Sequence, residues 1–261
     1  MDNSLFGRAS YNQRNVENGK MKAMIFAAGL GTRLKPITDV MPKALLPIGG
    51  QTLLEWQIEK LAAAGIRDIV INVHHFADKI EAFVAEHKAW GLNIRFSDER
   101  EMLLETGGGL RKAGALLGKD EPVLVCNVDV LSTIRLEDLI AAHDPKSLAT
   151  IVVSQRETQR YFLFDKGGRL SGWTNLKTGK VKPEGLETTG LERLAFSGMH
   201  VVSPEIFRVM KDYPDRFPIV DFYLDQCQEH VIKAYFPDDY RMMDIGKIDS
   251  LQEAEHFAKS L

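Results

Sequence analysis

Between residues 22 and 131, short apolar runs alternate with amphipathic stretches that close on glycine. "KAMIFAAG", "RDIVINVHH", "LNIRFSDE" and "EPVLVCNVDVL" read as strands. Between them, "TLLEWQIEKLAAAG" and "ADKIEAFVAEHKAWG" carry apolar residues at helical spacing and stop at Gly65 and Gly91. "TGGGLRKAGALLG" opens on glycines and turns helical. Strand, helix, strand at this rhythm specifies βαβ units: a parallel sheet with helices on both faces, an α/β/α three-layer class. After about residue 150 the rhythm changes. "ATIVVSQ", "YFLFD", "RLSGWTN" and "RLAFSGMHVVS" are strands with little helix between them, and "DKGG" (165–168) is a hairpin turn. The expected architecture is therefore α/β with a mostly parallel, mixed sheet and a small β insertion. Two helices are expected near 204–211 and 219–229, with a last one in "SLQEAEHFAKSL".

Composition narrows the partners. The chain has 261 residues and a formal net charge of -3, without the basic excess of nucleic-acid binders. Cys126 and Cys227 are its only cysteines, which argues for a reducing, cytoplasmic setting without a disulfide framework. No apolar run approaches the roughly 18 residues of a membrane span. Residues 1–20 are polar and aperiodic, and read as a disordered leader before a domain that starts at Met21.

The first strand runs into "AAGLGTRLKPITDVMPKALLPIGG" (27–50). Open α/β sheets bind ligands at the carboxyl ends of their strands. Gly29 and Gly31 let backbone approach a ligand closely, and exposed amides there attract anions. The phosphate-loop pattern G-x-x-x-x-G-K-[ST] is absent, and Leu34 stands where a dinucleotide fingerprint needs its third glycine. Arg33 supplies a planar fork for phosphate oxygens, and Lys43, held between Pro42 and Pro47, a compact positive charge. Two cations on one glycine-bearing strand end point to a polyphosphate. Asp129 interrupts an apolar strand, where an aspartate needs a partner or a metal; a strand-end turn is the competing reading. Asp244 in "MMDIG" also ends a strand.

The 27–50 stretch resembles the signature of the sugar-1-phosphate nucleotidyltransferases, G-x-G-T-R-L-x-P-x-T-x-x-x-P-K-x-L, at nearly every position. The likeness runs from Met21 to the end and thins between 155 and 192. It implies the Rossmann-like nucleotidyltransferase fold, a nucleotide-binding part over about 21–150 and a sugar-binding part over about 151–261. It implies in-line attack by a sugar 1-phosphate on the α-phosphorus of an NTP, with pyrophosphate leaving. NTP and sugar 1-phosphate would be the partners, with no nucleic acid and no membrane. In that resemblance Ala28, Gly29, Leu30, Gly31, Thr32 and Arg33 wrap the triphosphate, and Thr106, Gly107 and Gly108 edge the base. Arg33 and Lys43 act in catalysis. Asp129, in "NVD", and Asp244 hold Mg²⁺. Asn127, Ser197 and Gly198 contact the sugar. Val128 and Met242 replace the family's usual glycine and tryptophan, and Lys247 a common threonine.

"ETGGG" (105–109) and "FSGMHVVSP" (196–204) resemble the bacterial N-acetylmuramate α-1-phosphate uridylyltransferases of peptidoglycan recycling. Glu105 occupies a position that is glycine in many guanylyl and thymidylyl relatives. Three readings stay open: a uridylyltransferase, a mannose or heptose 1-phosphate guanylyltransferase, and a catalytically dead nucleotide-sugar-sensing domain. His74 and His75 read as strand-end packing. Lys177 reads either as a contact to the sugar phosphate or as part of a solvated hairpin.

Overall fold

The computed structural model of the protein describes residue 16 and residues 20–261; the leader expectation falls almost wholly outside them. The first strand, β1 (Lys22–Phe26), lies inside a mixed sheet. It is parallel to β4 (Asp68–Val73) on one side and to β6 (Val123–Asn127) on the other. β4 is parallel to β5 (Asn93–Asp98). A hairpin of β2 (Pro47–Ile48) and β3 (Gln51–Thr52) stands apart.

Side-chain alternation produces the three layers. Along β1, Ala23 and Ile25 enter one core while Met24 and Phe26 enter the other. β4 divides likewise, Ile69 and Ile71 against Val70. Helices α1 (Leu53–Ala63) and α2 (Ala77–Glu86) fill the first core with Leu54, Ile58, Ile80 and Val84. Helix α3 (Glu105–Leu117) fills the second with Leu110, Ala113 and Leu117. α1 starts where its sequence specifies: Thr52 and Glu55 form a reciprocal capping box, and Gly65 beyond its end has φ +83°.

Three expectations change. The second helix stops at Glu86, not Gly91, because Lys88, Ala89 and Trp90 take left-handed backbone while Trp90 stacks on His87 at 4.9 Å. The glycines of "TGGG" lie within α3, not in a turn before it. "EPVLVCNVDVL" splits into β6 and β7 (Val130–Ser132), with Asp129 in the break.

Beyond residue 149 the chain does not form a separate sheet. β8 (Ala149–Ser154) joins the central one, and β9 (Arg160–Phe164), β10 (Leu170–Asn175) and β11 (Lys180–Lys182) form an antiparallel extension. β12 (Glu192–Val202) belongs to both. Its first residues pair with β9 and its last with β6 and β8. The register shifts between Phe196 and His200, where Gly198 has φ +74°. Helices α4 (Leu136–Ala142), α5 (Glu205–Val209), α6 (Ile219–Gln226) and α7 (Leu251–Ala258) cover the faces. β13 (Ile232–Tyr235) runs parallel to β8, and β14 (Met242–Asp244) antiparallel to β7. Among the described residues no helix is long and apolar enough to cross a membrane.

Two histidines are buried in this frame. His143 bridges the hydroxyls of Thr150 and Ser203 at 3.0 Å each, and His200 shares a hydrogen bond with Tyr223 at 2.7 Å. Burial pushes His143 down to about 4 and His200 to about 3, so both are neutral in the fold. The unfolded chain binds their protons from 6.5 downward, so stability falls as pH drops below 6.5 toward 4. Substituting Gln for His143 flattens that part of the Tm-against-pH curve. An unchanged slope would show that other groups set the acid limb.

Candidate active site

The chain leaves β1 for β4, moves out to β5, then returns past β1 to β6. The direction of travel reverses between β1 and β6, so a crevice opens at their carboxyl ends. A cleft of about 460 Å³ lies there, walled by the 26–33 loop, Asn127–Asp129 and Glu105–Thr106.

Glycines shape the loop for different reasons. A Cβ on Gly29 would meet nothing within 4 Å, so this residue leaves open space for a ligand. Gly31 has φ +60°, and a Cβ there would strike the Thr38 methyl at 2.8 Å. The Thr38 hydroxyl donates to the Gly31 carbonyl at 2.9 Å and ties the turn down. Lys43 is buried and forms an ion pair with Asp129.

Asp129 and Asp244 come together through strand pairing. β14 places Asp244 opposite Val130, and the Ile245 amide donates to the Asp129 carbonyl at 2.9 Å. Burial first, and the Asp129 charge second, push the Asp244 carboxyl up; Lys43 and Arg33 oppose them. The Arg33 guanidinium reaches the same corner, where a Cβ on Gly246 would meet it at 3.0 Å. Two carboxylates and two cations thus face one crevice. Among the described residues no three His, Cys, Asp or Glu side chains gather into a metal cluster. Two carboxylates supply hard oxygen donors, which fit a magnesium ion that takes its remaining ligands from phosphates and water.

Of the residues singled out from sequence, Ala28, Gly29, Gly31, Thr32, Arg33, Lys43, Thr106, Asn127 and Asp129 line the cleft. Asp244 abuts it through Asp129 and Gly246. Others do not reach it. Leu30 turns outward, 42% exposed. Gly107 and Gly108 are buried, and their amides both donate to the Phe217 carbonyl. A Cβ on Gly108 would sit 2.1 Å from the Asp215 carbonyl, so these glycines serve close packing. Ser197 is buried with its hydroxyl 3.4 Å from that of Ser154. Gly198 packs against the Asn127 amide. Val128 is buried and holds ordinary backbone geometry, so valine is accommodated in place of glycine. His74 donates from Nδ1 to the Glu99 carbonyl at 2.6 Å and His75 packs on Phe76; neither lines the cleft.

Glu105 stands at φ +61°, a backbone region that favours glycine, and its carboxylate receives the Arg216 guanidinium at 3.0 Å. That pair ties α3, at the cleft wall, to the loop before α6.

Asn72 escaped the sequence reading. Its side-chain carbonyl accepts from the amides of Ala27, at 2.7 Å, and Ala28, at 3.2 Å. Its amide donates to buried Glu99 at 2.8 Å, and Glu99 also accepts from Leu104 at 3.0 Å. The signal was an asparagine inside the apolar run "DIVINV". Asn72→Ala leaves two loop amides unsatisfied, at roughly 1–3 kcal/mol each if they stay buried. A lowered Tm together with a several-fold rise in KM for the nucleotide is expected. A drop in Tm with KM unmoved would make Asn72 a stability residue alone.

The nucleotidyl transferase family model matches residues 22–260. The chain belongs to that family. Over 194 residues it is 36% identical to the N-acetylmuramate alpha-1-phosphate uridylyltransferase of Caulobacter vibrioides, covering 70% of this chain and 76% of the relative. It is 41% identical over 140 residues to a mannose-1-phosphate guanyltransferase of Gibberella zeae, covering 52% of this chain and 38% of that protein. A putative glucose-1-phosphate thymidylyltransferase from Bacillus anthracis superposes with a TM-score of 0.78 at 18% identity, over 92% of this chain and 96% of that one. That likeness establishes the nucleotidyltransferase fold. The protein is an enzyme of the sugar-1-phosphate nucleotidyltransferase class.

Proposed function

We propose that this nucleotidyltransferase transfers a uridylyl group from UTP to N-acetylmuramic acid α-1-phosphate, forming the UDP-sugar and pyrophosphate. The observation that carries the reaction is the convergence of Arg33, Lys43, Asp129 and Asp244 on one crevice at the β1–β6 switch point. The choice of base and sugar rests on the relatives that match most of the chain, of which the uridylyltransferase covers 70%.

Two anions must meet in this reaction, so charge neutralisation and alignment do most of the work. Gly29 and Gly31 keep the loop backbone free to approach the triphosphate. Arg33 and Lys43 offset its charge, and Lys43 stands beside the α-phosphorus. Asp129 and Asp244 would hold a magnesium ion, which supplies the positive charge that draws both phosphates together. Asn127 borders the acceptor, and Gly198 backs it by packing against its amide. The enzyme needs no general base, because the attacking phosphate oxygen is already ionised. The proposal places the enzyme in peptidoglycan recycling in the cytoplasm, as either a monomer or a homo-oligomer, with residues 21–150 serving the nucleotide and 151–261 the sugar.

Pyrophosphate release across a matrix of nucleotides and sugar 1-phosphates is the test. UTP with N-acetylmuramic acid α-1-phosphate should give the highest kcat/KM. A guanylyltransferase is the second reading, favoured by the guanyltransferase match over 52% of the chain. A tenfold or greater advantage for GTP with mannose 1-phosphate would establish it instead.

A further inference from the structure

Beside the cleft, and sharing Pro218 with it, lies a second cavity of about 480 Å³. Strand register builds it. Arg160 on β9 lies opposite Asn175 on β10, Phe162 opposite Trp173, and Trp173 opposite Lys182 on β11. Directly opposed residues share a sheet face, so all five side chains project from one side of the extension. Phe196 and α6 close the other walls, and Arg156 enters from the turn after β8.

The lining has an aromatic floor and a cationic rim. Phe162 and Phe196 lie 5.9 Å apart, with Trp173 beside them. Such a floor suits the apolar face of a pyranose ring. Three cations face it against one carboxylate, Asp221. Lys182 is already neutralised by Asp221 at 2.8 Å. The two arginines are not. Among the described residues Arg156 donates to the Phe196 carbonyl at 3.2 Å and has no carboxylate in ion-pair range, and the Arg160 guanidinium has no hydrogen-bond or ion-pair partner. A sugar whose 1-phosphate sits at Asp129 and Asp244 would extend its far side toward this rim.

We infer that this second cavity is a carboxylate-reading subsite, in which Arg160 and Arg156 bind the carboxylate of an acidic substituent on the acceptor sugar. The inference rests on the acceptor proposed above, whose lactyl ether carries such a group. Arginine matches a carboxylate with paired, charge-assisted bonds, and two guanidiniums left without carboxylates near an aromatic floor are poised to receive one.

The experiment uses the full chain and UTP-dependent pyrophosphate release. Two acceptors are compared: N-acetylmuramic acid α-1-phosphate, and the same molecule with its lactyl carboxylate converted to a carboxamide. The wild-type enzyme should prefer the acid by roughly 10- to 100-fold in kcat/KM, mostly through KM. In Arg156→Gln/Arg160→Gln that preference should collapse to near unity. Arg160→Lys should restore part of it. Both arginines are exposed, so the folded state should survive substitution, which circular dichroism checks. An acid preference that persists in the double variant overturns the inference, as does a wild-type enzyme indifferent to the amide. If the wild-type enzyme ignores both compounds while turning over GTP with mannose 1-phosphate, the uridylyltransferase reading fails and takes the inference with it.

Discussion

Asp129→Asn and Asp244→Asn should each reduce turnover by about 10²–10³-fold or more, yet shift stability in opposite directions. The activity loss is common to both because each amide keeps the shape and removes the charge that would offset a cation and orient the phosphates. Stability separates them because their neighbours differ. Asp129 is the counterion of buried Lys43, and removing its charge strands an ammonium that is 8% exposed. That loss is on the order of 1–3 kcal/mol for a partly buried pair, several degrees in Tm for a chain of this size. Asp244 is instead held in an unfavourable place, its carboxyl pushed up by burial and by the Asp129 charge. Neutralising it relieves both effects, so Asp244→Asn should melt no lower than wild type, and higher at neutral pH. Magnesium titrations complete the test, since the concentration for half-maximal rate should rise in both variants. An Asp244→Asn enzyme with normal turnover and a normal magnesium curve would remove Asp244 from the site.

Lys43→Ala should cost about 10²–10³-fold in kcat/KM, the usual loss for one preorganised charge contact in the transition state. Its second effect follows from the geometry. Lys43 opposes the upward push on Asp244, so its removal raises the Asp244 carboxyl further. Protonated Asp244 cannot serve as a ligand. The acidic limb of the pH–rate profile should therefore move to higher pH in the variant, and extra magnesium should recover part of the rate by competing with the proton. Lys43→Arg should not rescue, because the site is packed around a compact ammonium. A variant with wild-type pH dependence would show that Lys43 acts on the nucleotide without tuning the carboxylates.

The layer order was legible because the apolar runs of β1 and β4, the helical spacing between them and the capping signals of α1 are local properties of the chain. Arg33, Lys43 and the glycine loop were legible for the same reason: their chemistry and spacing lie within one short segment. Asp129 stood out as a charge in an apolar run. Where packing departs from the local expectation, the cause is distant chain. The resemblance set Gly107 and Gly108 at the base edge, but the Asp215–Phe217 segment, more than a hundred residues away, presses on them and takes their amides. The resemblance set Ser197 against the sugar, and it lies buried in the register break of β12 beside Ser154.

What the amino-acid sequence determined by itself is the class of fold, the phosphate loop and the residue types that carry the chemistry, because periodicity, backbone freedom and side-chain charge are encoded position by position. Only the tertiary structure decided which charges meet. Asp244 reaches Asp129 because β14 pairs with β7, Asn72 holds the loop because β4 lies beside β1, and Arg160 shares a face with Trp173 through the register of β9 and β10. Each of these contacts joins segments about 45 to 115 residues apart or depends on a strand register, and a register is set by the burial of whole faces rather than by any local signal.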